Sequence, residues 1–213
     1  DVYKRQEHAE ASKIALFSIA DYAWNMDAYK SDASWRRAVR YLMPGHAAAL
    51  QVFASHNSDL GGNEHDFRRE ESEQIRPALE RLLDAYCREG KREVAAASAV
   101  TEECERMIAS ADLLLASDEN PALIKEITPW LIQFKLLGEY GREVLCMLAA
   151  QCDGKKTELE KAASHAKALQ VLMKKIDATY NQNGFQPGVK TGSCHLKPAF
   201  DRLYQEVVQR TGK

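Results

Sequence analysis

The sequence has no long apolar run and no excess of basic charge. A membrane-spanning helix requires about 18 or more consecutive apolar residues, and no stretch of this 213-residue chain approaches that length. Its 29 basic and 31 acidic residues leave a formal charge of -2, and they form no polybasic cluster. We therefore expect neither a membrane nor a nucleic acid as a partner.

Cysteine is scarce and widely spaced. Five cysteines occur, the number is odd, and no CxxC pair is present. This pattern predicts neither a disulfide framework nor a zinc knuckle. It favours reduced thiols without deciding the compartment. Cys104 and Cys146 fall on apolar helix faces, where we expect both thiols to be buried as small hydrophobic groups.

Motifs that mark known active sites are also missing. The chain has no HExxH, GxSxG, P-loop or GxGxxG sequence. No two aspartates are adjacent, and none of the six histidines follows a glutamate by three residues, as the histidines of di-iron bundles do. We therefore expect no complete active site, no catalytic residue and no cofactor in this chain.

Residues 56–66 come nearest to a metal-binding segment. They contain His56, His65 and several carboxylates, but their spacing matches no metal-binding motif, and Gly61 and Gly62 are ordinary turn residues. We favour a loop between helices whose polar side chains satisfy backbone groups. A bundle that binds a metal ion through His56 and His65 is the less favoured alternative.

Helical periodicity dominates residues 46–213 and predicts an antiparallel bundle. Apolar or small side chains recur every three or four positions in three segments, at 75–86, 94–115 and 159–180. Gly90 suits the C-terminal cap of the first of these helices. A polar loop is expected at 181–197, followed by a short last helix that starts at Pro198.

A fourth, strongly apolar helix lies between the second and third of these segments. Asn120 and Pro121 suit its N-cap and first turn. Pro129 should bend this helix or split it into two. Trp130 and Phe134 share one of its faces and are expected in the core.

The first 45 residues have a different pattern. Residues 14–20 are a short apolar run without a polar face, which favours a strand buried on both sides, although a buried helix has the same pattern. An amphipathic helix follows, capped by Asp32 or Ser34, and Pro44 ends it. Because one strand cannot form a sheet, the partner strands are expected upstream. Without them we expect this segment to pack poorly or to fold as a helix.

Tyr22, Trp24 and Asn25 are the candidate substrate-binding residues. They come directly after the predicted strand, and in parallel α/β folds that end of a strand faces the ligand. The alternative is that both aromatic rings close the base of a neighbouring loop. The sequence itself favours neither interpretation.

Several segments, in register along the chain, resemble bacterial glycoside hydrolase family 84. These enzymes are β-N-acetylglucosaminidases, also called O-GlcNAcases, and some members were named hyaluronidases. The matching segments are EHAEASK at 7–13, SIADYAWN at 18–25, HNSDLG at 56–61, FRREES at 67–72, EITPW at 126–130, QFK at 133–135, NQN at 181–183 and QPGVKT at 186–191.

The resemblance implies a division of the chain. Residues 7–45 would be the end of the catalytic (β/α)8 barrel, including its eighth strand, and residues 46–213 would be the helical domain that follows it. Residues 1–6 (DVYKRQ) lack the Asn-Pro pair expected before the EHAE segment. We therefore expect residues 1–6 to be a non-native or spliced segment.

The resemblance also implies the chemistry of the whole enzyme. The acetamido oxygen of the sugar attacks the anomeric carbon, and two adjacent aspartates assist, so the reaction departs from the scheme with an enzymic nucleophile. Because this chain has no adjacent aspartates, we expect it to be inactive alone and to support the barrel. The alternative function is an autonomous helical interaction module with no catalytic role.

The partners follow from the same resemblance. They are the N-terminal catalytic barrel of the same protein and, through the whole enzyme, a glycoconjugate that carries N-acetylglucosamine. A homodimer is compatible with it. Relatives of this family are usually exported, which implies a periplasmic or extracellular location.

Overall fold

The computed structural model describes residues 8–57, 71–180 and 188–211. Within these ranges the chain forms helices and no strands: α1 (Ala9–Trp24), α2 (Ser31–Leu42), α3 (Ala47–Ser55), α4 (Arg76–Glu89), α5 (Val94–Leu115), α6 (Pro121–Cys152), α7 (Lys156–Tyr180) and α8 (Leu196–Thr211). The predicted mostly α fold is confirmed. None of these helices combines the length and hydropathy needed to cross a membrane.

Helix α6 lies at the centre of the bundle. It packs against α5, α7 and α8, and it also touches α1. The short links at 116–120 and 153–155 reverse the chain, so α5 and α7 run antiparallel to α6 along its length. Helix α4 packs between α5 and α8, while α3 packs on α5. The bundle expected from the periodicity is therefore the one observed.

Apolar side chains of α6 form the middle of the core. Phe134, Leu137, Tyr140 and Val144 are fully buried. Trp130 is half-buried and packs against the same core. Both aromatic residues that were expected in the core, Trp130 and Phe134, therefore contribute to it.

The predicted start of α6 is confirmed, whereas its predicted interruption is only partly right. The side chain of Asn120 accepts a hydrogen bond from the backbone N–H of Leu123 at 3.2 Å, as an N-cap does. Pro129 does not split the helix, which continues from Pro121 to Cys152. Packing against α5 and α7 on either side holds the two halves in one helix.

Close helix packing explains a glycine on α6. A Cβ atom at Gly141 would lie 2.5 Å from Cε2 of Phe200 on α8 and 2.8 Å from Sγ of Cys104 on α5. Only a residue without a side chain lets the three helices approach this closely at that point. Gly141 is thus required by the packing of the helices.

One helix end confirms the prediction, and two others differ from it. Helix α4 ends as expected at Gly90, whose φ of 67° is left-handed. Helix α2 begins at Ser31, and its N-cap is Lys30, so neither Asp32 nor Ser34 caps it. Helix α8 begins at Leu196, before Pro198. A carboxylate from another part of the chain supplies the cap of α8, as described below.

The strand predicted at residues 14–20 is wrong, because these residues lie within α1. A lone strand leaves its backbone N–H and C=O groups unpaired, whereas a helix pairs them internally. No neighbouring strand is present among the described residues. The expectation of a helix in that situation is therefore confirmed. Helix α1 has no buried residue, so it packs loosely on the bundle.

Candidate functional site

The three candidate substrate-binding residues lie at the C-terminal end of α1. The ring of Tyr22 contacts that of Tyr29 edge to face, with centroids 5.3 Å apart. The side chain of Asn25 accepts a hydrogen bond from the N–H of Ala28 at 3.1 Å and so closes the turn after the helix. Trp24 is 92% exposed. The structure therefore groups Tyr22 with Asn25 around the turn and leaves Trp24 projecting into solvent.

These residues belong to an exposed apolar surface. We call it the α1 surface, and it consists of Leu16, Ile19, Tyr22, Trp24, Met26 and Tyr41, each of which is at least 45% exposed. Single exposed apolar side chains are ordinary, but a contiguous group of large ones marks an interaction surface. The α1 surface is the strongest such candidate in the described part of the chain.

A carboxylate on α6 holds the other end of α1. The two oxygens of Glu126 accept hydrogen bonds from the backbone N–H groups of Glu10 at 3.0 Å and Ala11 at 2.8 Å. A negative charge at a helix N-terminus also interacts favourably with the helix dipole. The rings of His8 and Trp130 meet edge to face beside it, 5.0 Å apart. The N-terminus of α1 is therefore fixed to the bundle.

Polar contacts also join α1 to α2 and to the segment between them. Arg37 on α2 forms an ion pair with Asp21 on α1. The hydrogen bond from Arg37 lowers the pKa of Asp21, which keeps this carboxylate charged. The hydroxyl groups of Ser18 and Tyr29 lie 2.6 Å apart. These contacts orient the α1 surface outwards without covering it.

His56, a member of the predicted loop, has both ring nitrogens engaged. Its Nδ1 lies 2.8 Å from the hydroxyl of Ser72, and its Nε2 lies 2.7 Å from Oε1 of Glu103 on α5. The backbone carbonyl of His56 accepts a hydrogen bond from the N–H of Gly192 at 3.1 Å. His56 is 2% exposed. It thus connects the end of α3, the approach to α4, α5 and the segment before α8.

Ser72, His56 and Glu103 are connected through the two ring nitrogens of His56, as the nucleophile, the base and the carboxylate of a catalytic triad are. Such an arrangement performs nucleophilic catalysis only when a substrate carbon reaches the hydroxyl. Ser72 is 2% exposed and lies beneath the surface. Its backbone N–H is bonded to the carbonyl of Ser55 at 3.0 Å. The arrangement therefore joins structural elements, and we assign it no catalytic role.

Glu71 caps α8 from a distant part of the sequence. Its carboxylate is fully buried and accepts hydrogen bonds from the backbone N–H groups of Cys194 at 2.9 Å, His195 at 3.0 Å and Leu196 at 3.4 Å. These donors have no partner within the helix itself. The charge at the helix N-terminus explains why α8 begins before Pro198.

The metal hypothesis depends on residues that the structure does not describe. Of the two histidines proposed as ligands, His56 is described and His65 is not. Among the described residues, no group of three or more histidine, cysteine, aspartate or glutamate side chains is arranged to hold a metal ion. The predicted segment at 1–6 and residues 181–187 of the predicted loop also lie outside the described residues.

The cysteine predictions are half right. Cys104 is fully buried, as predicted, and burial raises the pKa of its thiol. Cys146, in contrast, is exposed, so its predicted burial is wrong. All five cysteines are free thiols.

Sequence reasoning missed the three buried or half-buried carboxylates that organise the bundle. Glu71, Glu103 and Glu126 each bind groups between 47 and 125 positions away. Carboxylates normally occupy solvated positions, so the local pattern contained no signal of these contacts.

The comparisons with known proteins agree with this architecture. The family model described as bacterial GH84, post-catalytic domain, matches residues 71–204, and the model described as beta-N-acetylglucosaminidase matches residues 2–55. The solved structure titled "Structure of CpGH84D" has a TM-score of 0.80 and 26% identity, and the match covers 95% of this chain and 33% of that one.

A second solved structure, titled "Structure of CpGH84B", has a TM-score of 0.78 and 20% identity. The match covers 92% of this chain and 32% of that one. At this identity the likeness shows the fold alone. The chain spans about a third of the length of either structure.

Proposed function

The chain belongs to bacterial glycoside hydrolase family 84, and we propose that it supports the catalytic domain of a β-N-acetylglucosaminidase. In this proposal the whole enzyme removes N-acetylglucosamine from glycoconjugates. Residues 71–204 match the post-catalytic domain of the family.

The observation that carries the proposal is the exposed α1 surface, whose helix lies within the first of the two family matches. The match to the beta-N-acetylglucosaminidase model ends at residue 55, and the match to the post-catalytic model begins at residue 71. Helix α1 lies in the first match, and none of its residues is buried. A catalytic domain that packs there would remove the apolar side chains from water, which favours association.

We propose that residues 7–45 belong to the catalytic domain and that residues 46–213 buttress it. Because Glu126 holds the N-terminus of α1, it would fix the orientation of the catalytic domain relative to the bundle. Tyr22, Trp24 and Asn25 lie at the far end of α1. In the whole enzyme they are candidates to line the sugar pocket, where aromatic rings supply apolar contact area and an amide supplies hydrogen bonds.

The proposed chemistry is substrate-assisted retaining hydrolysis. The acetamido oxygen of the substrate attacks the anomeric carbon, and an adjacent aspartate pair orients that group and transfers the proton. This chain has no adjacent aspartates. It would therefore contribute no acid or base to the reaction and would be inactive alone.

A turnover assay tests whether the catalytic residues lie outside this chain. The purified chain is incubated with a chromogenic N-acetylglucosaminide, and release of the chromophore is followed. We expect no turnover above the buffer control. Clear turnover that persists through repurification would overturn the proposal that the chemistry lies outside this chain.

The upstream reading frame separates the proposal from the rival function, an autonomous helical interaction module. We expect the native frame to extend into a barrel that contains an Asp-Asp pair. A frame without such a domain would favour the module. Hydrogen exchange adds a physical test: amides of α1 should exchange faster in this chain than in the longer protein, whose catalytic domain covers the α1 surface.

The compartment and the oligomeric state are also part of the proposal. An export signal in the same upstream frame would agree with the periplasmic or extracellular location that the family implies. A homodimer is tested by light scattering of the longer protein, since in this chain alone the exposed α1 surface could itself produce association.

A further inference from the structure

A polar groove lies between α6, α7, α8 and the segment before α8. Its volume is about 530 Å3, which is within the range of small-ligand pockets. Gln133 and Tyr140 contribute from α6, Gln170 and Lys174 from α7, and Thr191 from the segment before α8. None of the candidate residues discussed above lines this groove.

Two buried polar atoms among the residues that line the groove have no hydrogen-bond partner in the described part of the chain. They are Oε1 of Gln133 and Oγ1 of Thr191, and these residues are only 5% and 3% exposed. The amide nitrogen of Gln133 is engaged with the carbonyl of Met173 at 3.2 Å. An unpaired buried acceptor or hydroxyl is unfavourable. A ligand that forms hydrogen bonds with these atoms would remove that penalty.

The charges of the groove favour a negative ligand. Lys167, Lys174 and Lys190 line it, and none of them has a carboxylate partner among the described residues. The two carboxylates of the groove are already engaged: Asp177 accepts the N–H of Val189 at 2.9 Å, and Asp201 pairs with Lys197. With Lys197 counted, four lysines and two aspartates line the groove, so its lining has a net formal charge of +2.

A chain of hydrogen bonds fixes three of the side chains that line the groove. The amide of Gln170 donates to the hydroxyl of Tyr140 at 2.8 Å, and that hydroxyl donates to Asp201 at 3.0 Å. Burial, with the nearby charge of Asp201, raises the pKa of Tyr140. The phenol therefore stays protonated and remains a donor. Amides and hydroxyls that are fixed in this way suit a ligand with many hydroxyl groups.

We propose that this groove binds an acidic saccharide, a short sugar chain that carries a carboxylate. The lysines would bind the carboxylate by charge-assisted hydrogen bonds, while Gln133 and Thr191 would bind sugar hydroxyls. The choice of a saccharide rests on the proposed function, since the whole enzyme would act on glycoconjugates. The choice of a negative charge rests on the lysines alone.

Calorimetric titration of this chain tests the proposal with three probes: sialyllactose, its neutral counterpart lactose, and inorganic phosphate. We expect sialyllactose to bind at least about tenfold more tightly than lactose or phosphate. Equal binding of lactose would overturn the charge assignment. Equal binding of phosphate would overturn the saccharide assignment, and no binding of sialyllactose would overturn both.

Two neighbouring lysines of α7 provide a matched pair of variants. Lys174 lines the groove, whereas Lys175 is exposed beside it and does not line it. We expect Lys174→Ala to weaken sialyllactose binding about tenfold and Lys175→Ala to leave it unchanged. Equal losses in the two variants would show a diffuse charge effect and contradict a site.

Thr191→Val distinguishes a binding role from a structural one. The substitution removes the unpaired hydroxyl at nearly constant volume, so Tm should stay the same or rise, while sialyllactose binding falls. A lower Tm together with unchanged binding would contradict the role assigned to Thr191. The binding measurement is also independent of turnover, so the groove and the proposed glycosidase function can fail separately.

Discussion

The Nε2 atom of His56 lies 2.7 Å from Oε1 of Glu103, although the two residues are 47 positions apart. Arg106 forms an ion pair with the same carboxylate. Burial raises the pKa of Glu103, but the hydrogen bond with His56 and the charges of His56 and Arg106 outweigh it and lower the pKa below its ordinary 4.5. Glu103 is therefore charged in a nearly buried position.

The first prediction concerns the pH dependence of stability. A carboxyl group whose pKa is lowered by folding stabilises the folded state above its unfolded pKa, and this stabilisation is lost as the pH falls through the folded pKa. Glu103→Gln lacks that contribution. We expect the Tm difference between the parent chain and Glu103→Gln to be constant near neutral pH and to shrink below pH 4.5.

The matched control for Glu103 is Glu102→Gln on the exposed neighbouring position of α5. Its Tm should differ little from that of the parent at any pH. The prediction for Glu103 is contradicted if its Tm difference is the same at acidic and neutral pH.

Glu71 should be essential for the start of α8. Glu71→Ala leaves the N–H groups of Cys194, His195 and Leu196 without their buried acceptor, and we expect unfolding to become easier by about 2 kcal/mol. Chemical denaturation followed by circular dichroism measures this free energy. Glu73→Ala, at an exposed position nearby, should be almost neutral; a similar loss in both variants would argue against the cap.

Glu126 should control the order of α1. In Glu126→Ala the backbone N–H groups of Glu10 and Ala11 lose their acceptors, so hydrogen exchange in the first turn of α1 should accelerate. Exchange in the core of α6 should not change, because α1 has no buried residue and contributes little to global stability. Lys125→Ala is the control, and unchanged α1 exchange in Glu126→Ala would contradict the prediction.

Gly141 should not tolerate a methyl group. Alanine usually stabilises a helix interior relative to glycine by about 1 kcal/mol. Here its Cβ would overlap the ring of Phe200 and the sulfur of Cys104, so we expect Gly141→Ala to destabilise the fold by about 1–3 kcal/mol. Thermal unfolding shows whether Gly141→Ala lowers or raises the stability of the fold. Leucine at position 200 removes the ring that the new Cβ would meet. A double-mutant cycle should therefore show that Gly141→Ala destabilises the Phe200→Leu variant less than it destabilises the parent chain.

Thiol labelling should separate the cysteines by burial. Cys104 is fully buried and the pKa of its thiol is raised by burial, so it should resist a maleimide in the folded chain. Cys146 and Cys152 are exposed and should react, as peptide mapping by mass spectrometry would show. Full labelling in denaturant is the control; native labelling of Cys104 would contradict the described packing.

The α-helical fold follows from the sequence because its signals are local. The apolar period of α5, the Asn120 cap and the Gly90 stop each depend on neighbours within a turn or two. The family resemblance is likewise readable in order along the chain. Residues 14–20 are the instructive exception, because a uniformly apolar run is compatible with a strand or a helix and only the presence of partner strands decides.

The candidate site was only partly predictable for a related reason. Tyr22, Trp24 and Asn25 could be selected from their position after an apolar run, but their exposure depends on what packs beside α1. The groove with Gln133 and Thr191 draws on three helices and one connecting segment, so no window of the sequence contains its pattern.

By itself the sequence determined six of the eight described helices, the helix ends at Gly90 and Asn120, the apolar core of α6 and the absence of an adjacent aspartate pair. The tertiary structure alone decided which polar groups meet: Glu71 with the start of α8, Glu103 with His56, and Glu126 with α1. Periodicity records which face of a helix is apolar, whereas a buried carboxylate is stable only where distant donors converge on it.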